Sequence, residues 1–218
     1  MLGSTVRQLS LSGWLQEKGK EEYNMALKLQ KFLFFYESFS KVKSNDADFS
    51  HLRGYKRGPV FSNVWGDYTH ERTLFDSEAN KAYNAPSISI DEEQAIKCHF
   101  LVKILSEKEL SQLTHKMNIW RISEDRIMRG EHHVTLFEND FDSNDVELIK
   151  LLDEMYPIEL IRNSHVVNID NHHFIFSKND ISKLTEQHYD TLSFLSDNNE
   201  LQNPIYVEID KEGRLIVD

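Results

Sequence analysis

The chain has almost no cysteine: Cys98 is the single thiol among 218 residues. One thiol excludes an intrachain disulfide and a zinc site built on cysteines, because each needs at least two. Cys98 stands in an apolar stretch beside Phe100 and Leu101, which predicts a buried structural thiol, since catalytic use requires a neighbour that stabilises the thiolate. This cysteine usage favours a reducing, cytoplasmic location.

Long apolar runs are also missing. No stretch approaches the roughly 18 residues that cross a bilayer, so the sequence predicts no transmembrane helix. The segment from Met1 to Ser12 has one basic residue, Arg7, and no long apolar core, so we expect no secretory signal there. Hydrophobic residues nevertheless make up 39% of the chain and aromatic residues 11%, which supports a packed core and argues against wholesale disorder.

Motifs for common chemistry are missing as well. The sequence has no phosphate-binding glycine loop and no G-x-S-x-G nucleophile motif. Its ten histidines form no H-E-x-x-H pattern, and the adjacent pairs His132-His133 and His172-His173 point to different sides of a helix or strand. Residues 138–145 resemble a calcium loop without the required glycine and glutamate, which predicts a linker and helix cap. We expect no metal, no cofactor and no enzymatic activity.

Acidic charge is concentrated late in the chain. Residues 1–130 hold 19 lysines and arginines against 17 acids, whereas residues 131–218 hold 6 against 19, giving net charges of +2 and −13. Acidic surfaces repel nucleic-acid phosphates and attract basic proteins, so we expect no direct nucleic-acid binding. The acidic part is interpreted either as a solvated face that keeps the protein soluble or as a surface that steers a basic partner.

Apolar spacing of three and four residues predicts helices over most of the first part. The apolar run Phe32 to Tyr36 is hydrophobic almost all round, which predicts a central helix. Gly58-Pro59 predicts a turn and a helix start, because proline fits the first helical position. The predicted elements are helices over 5–17, 21–43, Pro59 to Glu71 and 92–105, an irregular segment over 73–90, a short helix opened by a capping box at Ser106 and Glu109, and a further turn or short helix within 118–129.

The later part mixes helix and strand patterns. Ser143 is a predicted cap for a helix over 144–155, and a second helix is predicted from Asn179 or Asp180 to Leu195. Short strands are predicted over Ile158–Ile161, Val166–Ile169 and His173–Phe176, followed by a hairpin over 204–217 around Gly213. The predicted fold is therefore a mainly α helical domain over residues 1–130 with a smaller acidic α+β segment over 131–218 that ends in a β-hairpin.

Three short motifs carry a family resemblance. Leu29 to Phe35 reads L-Q-K-F-L-F-F, Tyr55 to Val60 reads Y-K-R-G-P-V with Val64-Trp65 following, and Leu110 to His115 reads L-S-Q-L-T-H with Trp120 downstream. In this order and spacing they resemble the Panacea (SocA-like) antitoxin domain, a mostly helical module of toxin–antitoxin systems and prophage regions. The match departs from the family pattern at Phe32, Phe34 and Arg57, and it covers about residues 12–129.

The resemblance implies direct binding and neutralisation of a toxin encoded next door, and in one branch of the family delivery of the toxin to a protease. The acidic segment lies outside the common domain, so either it sets the partner or the antitoxin role has been lost. Two hypotheses follow: an antitoxin that binds a protein partner, expected to be a basic toxin, or a phage or prophage accessory protein that binds a host factor or acts as a proteolytic adaptor. The motif positions expected to contact the partner are Tyr55, Lys56, Arg57, Trp65, Thr114, His115 and Trp120.

The same residues also have interpretations that are independent of the family. Lys56 and Arg57 are cations on a glycine-flanked turn, and they bind a carboxylate or phosphate of a partner or are simply solvated. His115 is a hydrogen-bonded residue at a helix end, a partner contact or, least favoured, a catalytic base, because no nucleophile that it would activate is identifiable. These alternatives remain open from the sequence alone.

Overall fold

The structure is a computed structural model that describes residues 1–44, 46–85, 87–197 and 201–218. These residues contain the following α-helices: α1 (Val6–Lys18), α2 (Lys20–Tyr23), α3 (Ala26–Lys43), α4 (Ser62–His70), α5 (Arg72–Asn84), α6 (Glu92–Ile104), α7 (Glu107–His115), α8 (Asn118–Arg121), α9 (Glu124–Met128), α10 (Ser143–Met155), α11 (Ile158–Asn163), α12 (Lys178–Ile181) and α13 (Glu186–Ser196). The strands are β1 (Leu52–Tyr55), β2 (Gly58–Phe61), β3 (Val134–Thr135), β4 (Ser164–Ile169), β5 (His172–Ser177), β6 (Ile205–Ile209) and β7 (Leu215–Val217). The predicted fold class, mainly α with a C-terminal α+β segment ending in a hairpin, is confirmed.

Helix α3 lies at the centre of the molecule. Thirteen of its 18 residues are buried, so the predicted central position of the Phe32–Tyr36 run is confirmed. Trp14 from α1 stacks on Phe32, with ring centroids 5.6 Å apart. The helix predicted over 21–43 is interrupted, however, because the extended backbone of Met25 (φ −100°, ψ 102°) separates α2 from α3.

Helices α1 and α5 pack at very short range. A Cβ added to Gly13 would lie 2.1 Å from the carbonyl oxygen of Ala79, so the approach requires glycine. The segment 73–90 was expected to be irregular, and this was wrong for α5. The buried residues of this helix are Phe75 and Ala79. Its apolar stripe is therefore too narrow to produce a clear helical periodicity of apolar residues in the sequence.

A three-stranded sheet in the order β2-β1-β3 lies beside α3. Strands β1 and β2 form an antiparallel hairpin in which Tyr55 faces Gly58 and Gly54 faces Pro59. The helix predicted to start at Pro59 is therefore wrong at its beginning: Pro59 belongs to β2, and α4 begins at Ser62. Proline is tolerated there because β2 is an edge strand and its missing N–H group interrupts no inner ladder.

The chain after residue 131 first continues the packing of the preceding helices. Val134 and Leu136 join the main hydrophobic core, and helices α10 and α11 pack on α3 and α6. Residues 1–163 are referred to below as the helical body. Apolar residues up to Ile161 thus pack with the main core, whereas most of the described apolar residues after residue 164 pack in a cluster of their own.

Two local predictions in this segment were wrong. Ile158–Ile161 is not a strand but part of α11, where Pro157 takes the N-cap position and contributes no unsatisfied N–H group. Helix α10 is capped by Asp142 rather than by Ser143, because the Asp142 carboxylate accepts hydrogen bonds from the N–H groups of Asn144 and Asp145 at 2.9 and 3.2 Å. The interpretation of residues 138–145 as a linker and helix cap is confirmed.

Residues 164–218, referred to below as the sheet region, form a four-stranded sheet in the order β4-β5-β6-β7. Strands β5 and β6 are parallel, and the other pairs are antiparallel, so the predicted final hairpin is confirmed. Strand β5 is buried on both faces: Phe174 and Phe176 pack with Leu192 of α13, whereas Ile175 packs against the helical body. The helix predicted up to Leu195 is divided into α12 and α13, and Thr185 caps the second.

Among the described residues, no helix is both long enough and apolar enough to span a bilayer.

Candidate partner-binding site

An aromatic pair, Trp120 and His115, supports the turn of the β1–β2 hairpin. The indole N–H of Trp120 donates a hydrogen bond to the carbonyl oxygen of Tyr55 at 3.0 Å. His115 stacks on the Trp120 ring, with centroids 3.8 Å apart and planes 12° from parallel. Trp120 is fully buried, so helices α7 and α8 fix the position of the turn that carries Lys56 and Arg57.

The three sequence motifs meet at one point beneath this hairpin. The Nζ atom of Lys31 on α3 donates a hydrogen bond to the Thr114 hydroxyl of α7 at 3.0 Å. Gly58 of β2 covers both groups: a Cβ there would lie 2.2 Å from Lys31 Nζ and 2.5 Å from Thr114 Oγ1. Gly58 also has a φ of +103°, a conformation that side-chain-bearing residues rarely adopt. The motifs are therefore parts of one packed unit.

Gln30 clamps the second strand to α3. Its Oε1 atom accepts a hydrogen bond from the Phe61 N–H at 2.8 Å, and its Nε2 atom donates to the Phe61 carbonyl at 3.5 Å. Both residues are fully buried. The hairpin is thus attached to the central helix by Gln30 and Lys31, which are neighbours in the L-Q-K motif.

Lys31 is a buried amine without an acidic neighbour. Only 1% of the residue is exposed, and among the described residues no carboxylate lies within ion-pairing distance of it. Burial lowers the pKa of the Lys31 amine well below its usual value, and the nearby charge of Arg57 acts in the same direction. A buried lysine without a counter-ion is costly, which makes this position unusual for a purely structural core.

A cavity of about 430 Å³ opens beside the hairpin. Its wall combines apolar side chains, including Leu27, Pro59 and Val60, with aromatic and cationic ones. The charged wall residues are Lys31, Lys56, Arg57 and Glu107. Glu107 pairs with Arg57 at 2.6 Å, so the cavity carries more positive than negative charge.

The residues predicted to bind a partner separate into two groups. Tyr55, Lys56, Arg57 and Trp65 line the cavity, and the Trp65 residue is 39% exposed. Thr114 and Trp120 are fully buried, so they support the hairpin from behind and present no surface. His115 is half-buried against Trp120, and burial followed by the charge of Lys31 lowers its pKa.

Sequence reasoning did not select Gln30, Lys31 or Glu107 for this site. A signal for Lys31 was present, because it directly precedes the apolar run Phe32 to Tyr36, and a lysine in a helix segment that is buried all round is exceptional. No sequence signal pointed to Glu107, whose role depends on the position of Arg57 50 residues earlier in the chain.

A second cavity of about 500 Å³ adjoins the first and lies between the helical body and the sheet region. Arg57 and Glu107 line both cavities, so their ion pair forms the partition between them. The wall of the second cavity is more polar and includes Lys28, Asn171 and His173. The two cavities therefore lie side by side, the first mainly apolar and the second more polar.

A separate surface on α13 combines acidic and aromatic residues. Glu186 and Asp190 are exposed on this helix, and Asp197 is exposed at its C-cap position. The Phe194 residue is 78% exposed and Tyr189 is 45% exposed, while Leu192 faces the core. This acidic face belongs to the negatively charged later part of the chain.

The groups considered for metal or thiol chemistry lie in ordinary structural positions. Within the described part of the chain, no cluster of three or more histidine, cysteine or acidic side chains has a geometry that could hold a metal ion. Cys98 is fully buried, as predicted, and burial raises the pKa of its thiol well above the usual value.

Comparison of the chain with protein-family models, with curated proteins and with solved structures gave no match. The resemblance to the Panacea antitoxin domain therefore stays a prediction that rests on the three motifs.

Proposed function

We propose that the chain is a cytoplasmic antitoxin that neutralises a toxin by binding it directly, without catalytic turnover. The observation that supports this is the packing of the three motifs beneath one hairpin, whose cavity has an exposed tryptophan and two exposed cations in its wall. Tryptophan and arginine are the residues most enriched at energetically important contacts between proteins. The buried parts of the motifs hold the exposed parts in place, as a preorganised binding surface requires.

The partner is proposed to be basic. The α13 region supports this choice, because Glu186, Asp190 and Asp197 are exposed there together with the Phe194 ring. Acidic side chains speed the encounter with a basic protein, and an aromatic ring among them supplies apolar contact area. The acidic face is therefore proposed to attract the toxin, while the cavity holds it.

Co-expression with the product of the neighbouring gene tests the proposal. We expect the neighbour alone to arrest growth, and we expect this chain to restore growth and to co-purify with it. Trp65→Ala is expected to weaken the complex at least about tenfold, since truncating a central interface tryptophan commonly costs 2 kcal/mol or more. Affinity is read by titration of the purified proteins.

The matched control is Leu74→Ala, which removes an apolar side chain of similar exposure (41%) on the neighbouring helix outside the cavity wall. This variant should bind normally. A neighbour that is harmless and forms no complex would refute the antitoxin proposal, and capture of a host protein instead would favour the accessory or adaptor function.

A further inference from the structure

We propose that the cavity beside the β1–β2 hairpin receives the carboxyl-terminal residue of the partner protein, with the apolar side chain of that residue inside and its carboxylate among the wall cations. This inference rests on the proposed function, because it names the part of the partner that the same site recognises. It is carried by the juxtaposition of an apolar cavity with three cationic side chains, of which one is completely buried.

The charge balance of the wall favours an anion. Lys31, Lys56 and Arg57 supply three basic groups, and Glu107 supplies the single carboxylate of the described wall residues. Arg57 already engages Glu107 at 2.6 Å, which leaves Lys31 and Lys56 without a described carboxylate partner. An incoming carboxylate would lie near the exposed Lys56, and its negative charge would also reduce the cost of keeping the buried Lys31 amine charged.

The apolar part of the wall selects the kind of anion. Leu27, Pro59, Val60 and the Trp65 ring would exclude a bare phosphate or sulfate, because such ions bury no apolar surface against them. A chain terminus carries a carboxylate and a side chain on the same carbon atom, which matches a site that offers both environments. Even a strongly basic protein has one terminal carboxylate, so this occupant is compatible with the acidic face of α13.

The adjoining cavity supports a peptide rather than a single small molecule. It lies on the other side of the Arg57–Glu107 pair and offers polar groups such as Lys28 and Asn171. A terminal residue in the first cavity would direct the preceding residues towards this pair and the second cavity. The neighbouring polar cavity therefore suits the residues that precede a chain end.

Three matched tripeptides test the proposal with the full chain and without any toxin. The probes are acetyl-leucyl-alanyl-leucine with a free carboxyl end, the same peptide as its amide, and acetyl-leucyl-aspartyl-leucinamide, which has an internal acid. Binding is followed by two-dimensional NMR at the Gly58 amide and the Trp65 indole N–H. We expect the free acid to bind at least about tenfold more tightly than either amide, as for a charge-assisted hydrogen bond.

Two substitutions assign the effect to the wall cations. Lys31→Met is expected to raise the melting temperature by about 2–6 °C, because it removes an unpaired buried amine, and yet to abolish the preference for the free acid. A purely structural lysine would not combine a gain in stability with a loss of carboxylate binding. Lys56→Gln, on the exposed turn, provides a second variant whose folding does not depend on the buried site.

The control is chosen to resemble the second variant. Lys20→Gln removes an exposed lysine that lines neither cavity. It should keep the preference for the free acid. Equal binding of acid and amide, tighter binding of the internal acid, or no binding at millimolar peptide would each overturn the proposal. A harmless neighbouring gene would refute the antitoxin function while leaving these peptide results unaffected.

Discussion

The helical body has a much larger apolar core than the sheet region. Among the described residues, the main core contains 35 buried apolar residues, including Trp14 and Trp120, and Ile175 is the sheet-region residue among them. The separate cluster of the sheet region has five, namely Phe174, Phe176, Leu192, Ile205 and Val207. Since apolar burial dominates folding stability, the sheet region should open at a lower free energy than the body. A single chain can thus combine a rigid binding platform with a more labile acidic attachment.

Removal of one phenylalanine from each core gives the largest expected effect. Phe32→Ala and Phe174→Ala each remove a fully buried ring, and each should cost about 3–5 kcal/mol of local packing free energy. We expect Phe32→Ala to accelerate hydrogen exchange throughout residues 1–163, whereas Phe174→Ala should accelerate it within residues 164–218. Exchange measured by mass spectrometry distinguishes these patterns. Uniform acceleration in the Phe174 variant would show that the two regions unfold as one unit.

A smaller effect is expected at the polar contact between the regions. The Asn203 side chain accepts a hydrogen bond from the His173 N–H at 2.7 Å and donates to the Glu109 carboxylate of α7 at 3.0 Å. Asn203→Ala leaves the partly buried His173 N–H without this acceptor and removes one donor to Glu109, and it should cost about 1–2 kcal/mol. The expected result is faster exchange in the sheet region with little change in the body. Asn84→Ala, whose side chain bonds only to Asn80 one turn earlier, should alter neither.

A dependence on pH is also expected within the sheet region. Burial lowers the pKa of His173 to about 4, with a further contribution from the charge of Lys28. Between about pH 6.5 and 4 the unfolded chain binds a proton that the folded chain does not bind, so this contribution to stability is complete above the range and is lost as the pH decreases. The His173 residue is buried, and we expect a loss of about 1–3 kcal/mol.

Thermal unfolding across this pH range measures the effect of His173. The slope should flatten in His173→Gln and remain in His132→Gln, which changes an exposed histidine of the body. An unchanged slope in His173→Gln would assign the acid sensitivity to other groups.

Local sequence patterns predicted much of the fold. The capping box at Ser106 and Glu109 fixed the start of α7, and the alternation around Gly213 fixed the final hairpin. The errors in the predicted fold arose where one local sequence pattern is compatible with two structures. Gly58-Pro59 fits both a helix start and a hairpin edge, and the pairing of Gly54 with Pro59 decided between them. Helix α5 was missed because its contact with Gly13 depends on backbone approach rather than on an apolar stripe.

The candidate site was predictable only in its exposed part. Tyr55, Lys56, Arg57 and Trp65 were selected from motif positions, and all four line one cavity. The contact of Lys31 with Thr114 joins residues 83 positions apart, and a single sequence carries no information about such a pair. The burial of Thr114 and Trp120 could not be predicted from the sequence either. The same residue types would occur in their motif whether it supported a binding surface from behind or formed that surface.

The three tryptophans of the chain lie in environments that fluorescence can distinguish. Trp14 and Trp120 are fully buried, and their indole N–H groups donate to Glu92 and to the Tyr55 carbonyl. Trp65, in the cavity wall, is partly open to water. A soluble quencher such as acrylamide should therefore reach mainly Trp65 in the folded protein. Occupation of the cavity then becomes visible as loss of quenching, in the unlabelled native chain and at micromolar concentration.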